Sequence, residues 1–133
     1  MIIDKELMFS EAQAVTATAS STNIVDLGVG DTGVSKALTL VIDIPTAFTG
    51  TGTIVITFNT GGAVSAGAIT SPAVMATFSP TNAQIKAGGR MYTVPLPIGM
   101  KRYCDLTYTV DGTVASGKIT AFLVMDLQTN DNK

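Results

Sequence analysis

The chain has 133 residues and a net charge of -2; 46% of its positions are hydrophobic and only 14% charged, with no histidine, no tryptophan and one cysteine. That length suits a single domain able to bury roughly 68% of its unfolded surface. The composition argues against a nucleic-acid binder, because Lys36, Lys86, Arg90, Lys101, Arg102 and Lys118 are scattered; against a disulfide scaffold, because Cys104 stands alone; and against any centre that needs imidazole.

The first ten residues set Ile2, Ile3, Leu7, Met8 and Phe9 in a segment without helical or strand period. They read as an N-terminal arm in search of a surface, able to add a strand to a neighbouring subunit or to fill a groove, the alternative being an ordinary first strand of the domain's own sheet. Asp4, Lys5 and Glu6 interrupt any apolar leader here. Removing residues 1–9 is therefore expected to weaken binding to a partner and to leave the fold intact. From residue 11 onward the pattern has period two, punctuated by Gly, Pro, Asn and Ser clusters, and predicts an all-β domain over 11–128. Residues 129–133 read as a disordered tail.

Strands are expected over 12–19, 23–27, 36–44, 53–58, 73–78, 91–96, 103–110 and 118–127. The clearest is 36–44, which places Leu38, Leu40, Ile42 and Ile44 on one face and Ala37, Thr39, Val41 and Asp43 on the other, with Pro45 ending it. Ile54, Ile56 and Phe58 repeat that arrangement before a turn over 59–62. Thr81 or Asn82 caps a helical turn that Gly88 and Gly89 stop. About eight strands suit a jelly-roll-like two-sheet β-sandwich. In the last strand Ile119, Ala121, Leu123, Met125 and Leu127 share one face while Phe122 and Val124 lie on the other. Both faces are apolar, so either a loop or the N-terminal arm of the same molecule lies over Phe122, or Phe122 and Val124 join Ile2, Ile3, Leu7, Met8 and Phe9 as candidate protein-contact residues, for a dimer partner or a larger assembly.

Chemistry-bearing motifs are sparse. Gly28, Gly30 and Gly33 satisfy G-x-G-x-x-G, but Val34 and Ser35 lead into a strand and not into the helix a phosphate site requires, so the stretch reads as a loop. Asp43, Asp105 and Asp126 are carboxylates at outward or strand-end positions and read as solvated; Tyr92, Tyr103 and Tyr108 read as sheet-margin residues and Cys104 as a small core residue. No catalytic residue, no metal and no cofactor is assigned, and no nucleic-acid or membrane partner is expected: apolar runs never approach the roughly 20 positions of a spanning helix.

Two stretches carry a resemblance. Residues 4–16 (DKELMFSEAQAVT) with 22–28 (TNIVDLG), and 102–110 (RYCDLTYTV) with 121–128 (AFLVMDLQ), resemble the capsid cement protein family of short-tailed phages of the Bordetella phage type; Ala87-Gly88 and 94–97 (VPLP) fit between them. Asp105 stands where that family's pattern has a glycine. The resemblance implies a non-enzymatic, jelly-roll-like capsid cement (decoration) protein. Such a protein dimerises, sits outside an icosahedral shell and bridges major capsid protein subunits to stabilise the virion, after synthesis in the host cytoplasm. Dimerisation would give each unit two attachment points, and linked contacts hold far more tightly than either alone. The alternative is a receptor- or glycan-binding β-sandwich module of a virion fibre or cell surface.

Overall fold

The computed structural model describes residues 5–27, 38–96 and 99–124. A 3-10 turn, Lys5–Leu7, opens the described chain and leads straight into β1 (Met8–Ala14). There follow the short β2 (Ala19–Ser20) and β3 (Val25–Asp26), then β4 (Thr39–Thr46), β5 (Thr53–Gly61) and the small hairpin β6 (Val64–Ser65) with β7 (Ala68–Ile69). β8 (Ala73–Phe78), helix α1 (Asn82–Ala87), β9 (Gly89–Pro95), β10 (Tyr103–Asp111) and β11 (Lys118–Val124) complete it.

Sheet A has the order β1-β11-β4-β9, and sheet B runs β2-β10-β5-β8 with β3 beside β10. If β2 and β3 are two pieces of one interrupted strand, and the β6–β7 hairpin is an excursion, eight strands remain and the first pairs with the eighth, the second with the seventh, the third with the sixth and the fourth with the fifth. Every pairing is antiparallel, and every connection except β5 to β8 crosses between the sheets. A long hairpin rolled over itself in this way is a jelly roll, the all-β two-sheet sandwich that the spacing predicts.

The core lies between the sheets. Leu40, Ile42 and Ile44 of β4, Ile54, Ile56 and Phe58 of β5, Cys104, Leu106 and Tyr108 of β10, and Ile119, Ala121 and Leu123 of β11 are all buried there. Each large aliphatic or aromatic side chain contributes about 1.5–3 kcal/mol by leaving water. Phe48, in the loop after β4, plugs one end; a Cβ at Gly117 would sit 1.9 Å from its Cδ1, so only glycine fits under the ring. Ile85 of α1 is 1% exposed, and the helix is set by reciprocal bonds: Gln84 N–H donates to Thr81 Oγ1 at 3.2 Å and Thr81 N–H to Gln84 Oε1 at 2.8 Å. Gly88, at φ +73°, ends it.

Several boundaries move from those the sequence suggests. Residues 59–61 extend β5 instead of turning, because Asn59 finds a cross-strand partner in Asp105 and Thr60 donates to the Tyr103 carbonyl at 2.9 Å. β4 runs one residue past Pro45. The stretch 12–19 divides, Ala14 ending β1 and Ala19 opening β2 in the other sheet. Tyr108 is in the core and not at a margin, because its hydroxyl lies 2.8 Å from Ser10 Oγ and so is satisfied inside. Cys104 is a core residue as expected. The region Gly28 to Gly33, the carboxylate Asp126 and the tail 129–133 lie outside the described residues.

Candidate protein-contact surface

The N-terminal segment, in the part described, is a strand and not an arm. β1 pairs with β11, Met8 opposite Phe122 and Ser10 opposite Ala121, so β1 holds one extra residue there, and the bulge turns both Phe9 and Ser10 inward. Phe9 is wholly buried and meets Phe58 edge to face, with ring centroids 5.8 Å apart at 87°. Asn23 fastens the strand from outside, its backbone N–H donating to the Phe9 carbonyl at 2.9 Å and its side chain to that of Met8 at 3.3 Å. Leu7 is half-buried against the core. Ile2 and Ile3 lie outside the described residues.

Phe122 and Val124 are corrected in the same way. Met8, Phe122 and Val41 stand side by side across β1, β11 and β4, and with Val124 they form a second apolar cluster on the outer side of sheet A. Phe122 is 1% exposed and Val124 3%. Both faces of β11 are dry, as the pattern says, but the chain covers the second face itself, so exposure no longer argues for Met8, Phe9, Phe122 or Val124 as contact residues. Removing residues 1–9 would take out a core aromatic and cannot leave the fold untouched.

The outer face of sheet B is built differently. Its central row runs Thr77, Thr57, Thr107, Ser20 across β8, β5, β10 and β2, followed on one side by Val74, Asn59, Asp105 and on the other by Val55 opposite Thr109. Thr77, Thr109 and Ser20 are exposed, and Val74, at 60%, is the most exposed large hydrophobic among the described residues. The single charge within these rows is Asp105, and it is buried. Asn59 Nδ2 donates to Asp105 Oδ1 at 3.1 Å and to Thr107 Oγ1 at 3.0 Å. Burial pushes the Asp105 carboxyl above the usual range while the Asn59 bond pulls it back. Asp105 is thus not the solvated residue its outward register suggests; its neighbours close over it.

Charge is kept to the rims. Arg90 pairs with Asp43 at 3.0 Å beside β9, Arg102 with Asp26 at 2.9 Å while lying 5.0 Å from the Tyr103 ring centre, and Lys5 with Glu11 at 2.5 Å. A cleft of about 700 Å³ lies among Lys5, Glu6, Thr22, Asn23, Asp26 and Gly67. As for reactive groups, burial drives the Cys104 thiol up to about 12, which leaves almost no thiolate near neutral pH. Burial also raises Tyr108, against the Ser10 hydrogen bond. Among the described residues no three Cys, Asp or Glu side chains gather as a metal site would require.

A family model, Bbp16, matches residues 9–123, from the inward-turned Phe9 to Leu123 of the last strand. The chain belongs to the Bbp16 family. The match takes in both sheets, including every row of the sheet B face, and places the chain in a Bordetella phage protein family. No curated protein matches it. Sequence reasoning missed that face because Asn59 reads as a turn residue and Asp105 as solvated; the long alternation in 103–110, with Thr107 and Thr109 outward, was the available signal.

Proposed function

We propose that this protein is a structural capsid cement, or decoration, protein. It binds the outer surface of an icosahedral shell as a dimer and bridges major capsid protein subunits without chemistry of its own. The observation that carries this reading is the family match across the whole sandwich. The sheet B face supports it: threonines, a serine and Val74 can be desolvated against another protein without stranding ions, and the buried Asp105 is already bonded within the chain. Standard protein interfaces bury about 1,600 Å² in total, so a dimer attached at two points gains by effective concentration what one modest interface lacks.

The test is co-sedimentation of purified protein with shells stripped of their decoration. Saturable binding that raises the temperature or pressure at which filled shells rupture is expected. Absence of binding to shells, together with retention on a glycan array, would replace this reading with that of a glycan-binding module.

A further inference from the structure

A two-sheet sandwich exposes four edge strands, and unguarded edges pair with other chains. Three edges here are guarded. β1 is broken by two register shifts, holds Ala12 at φ +47° and carries Glu11; β9 carries Arg90, a register shift and a terminal Pro95; β2 and β3 are two-residue pieces with the Arg102–Asp26 pair at their end. β8 differs: it too has a register shift, Met75 being the extra residue between the pairs Phe58–Ala76 and Asn59–Val74, but its six residues, Ala73 to Phe78, include no charge and no proline, and it is the strand that bears Val74. Among the described residues no strand pairs with its outer side.

We propose that β8 is the dimer edge, pairing antiparallel with β8 of a second copy to join the two B sheets. This rests on the dimer in the reading above. A neutral strand is what self-pairing requires, since a two-fold axis sets any charge close to its own image. The faces select one register that pairs the whole strand. Met75, Ala76 and Phe78 pack toward the core, Ala73 stands opposite Thr60, which lies on the inward side of β5, and Val74 and Thr77 stand with outward Asn59 and Thr57. Residues directly opposite in an antiparallel pair must share a face. Pairing 73 with 78, 74 with 77 and 75 with 76 satisfies this at every position. A slip of one residue either way sets Val74 against Ala76 or Phe78 and violates it. Each Val74 then lies beside the other copy's Thr77, covering the most exposed apolar side chain described.

The test is charge exchange in that register, read by sedimentation velocity on the full chain. Wild type is expected to be dimeric at tens of micromolar. Val74→Lys with Thr77→Lys sets two like-charged pairs across the axis and should raise the dissociation constant about tenfold or more. Val74→Lys with Thr77→Glu sets two opposite pairs and should restore the dimer, and a Val74→Cys, Thr77→Cys chain should oxidise to a dimer linked 74 to 77. All positions face solvent, so circular dichroism spectra at about 25 °C should be unchanged and confirm folding, while melting temperatures follow the dimer equilibrium. A monomeric wild type, a dimer unmoved by the double lysine variant, or crosslinks joining 74 to 74 would overturn the proposal. Shell co-sedimentation run in parallel separates the two readings: charge-switched dimerisation without shell binding leaves the edge standing and removes the cement function, whereas shell binding with a dimer indifferent to β8 does the reverse.

Discussion

The outer faces of the two sheets share one architecture and meet opposite fates. On sheet A, Met8, Val41, Phe122 and Val124 are apolar and sealed; on sheet B, Thr57, Thr77, Thr107 and Ser20 are polar and largely open, with Asn59 and Asp105 bonded beneath. An apolar outer face on a sandwich strand is therefore not by itself a docking site. A chain can close such a face from its own length, because each large apolar side chain that leaves water there contributes about 1.5–3 kcal/mol. A surface meant to be covered only on assembly must stay soluble beforehand, and neutral hydroxyls serve that need better than phenylalanine does.

The sharpest way to break this contrast is Phe122→Lys. Among the described members of that sealed cluster a lysine meets no carboxylate, and the loss should be about 4 kcal/mol or more, read as a collapsed denaturation midpoint. An unchanged midpoint would mean that the face is open after all. Thr109→Lys is the matched change on sheet B: Thr109 is exposed and outside the Asn59 bonds, so the change should move stability by under about 0.5 kcal/mol while reducing shell binding. Between these extremes lies Asn59→Ala, which removes the donor to both Asp105 and Thr107 and should cost about 1–3 kcal/mol by chemical denaturation.

The smallest effect sharpens the contrast by pH. Asp105 has a raised pKa in the fold, so the native state holds its proton more tightly than the unfolded chain does. Its contribution is fully favourable below the unfolded carboxylate pKa and is lost as pH rises through the folded value. Asp105→Asn cannot ionise and can still accept the Asn59 bond. Its stability relative to wild type should therefore rise between about pH 4 and neutrality and level off below that range. A relative stability that falls with rising pH would mean that the carboxylate is held in its charged form.

Much of the molecule was legible in the sequence. Strand 73–78 is placed to the residue, the capped turn at Thr81 to Gly88 is where Thr81 and the paired glycines put it, and the alternation in β4 and β5 identifies the inward residues Leu40, Ile42, Ile44, Ile54, Ile56 and Phe58. These signals are local: each depends on neighbours within a few positions. The errors share one cause. Phe9, Asn59, Asp105, Tyr108 and Phe122 were misjudged because their partners are far along the chain: Phe58 for Phe9, Asp105 for Asn59, Ser10 for Tyr108, and Val41 with Met8 for Phe122.

What the sequence determined by itself was the all-β class, the approximate strand count and the lack of imidazole chemistry, since composition and period need no third dimension. Only the tertiary structure decided that β1 lies beside β11, that the second apolar face of β11 is closed, and that β8 is the edge left without charge or proline. Strand order is set by which distant segments meet across the sandwich, and burial by what then lies above each face. Neither quantity is encoded at any single stretch of chain.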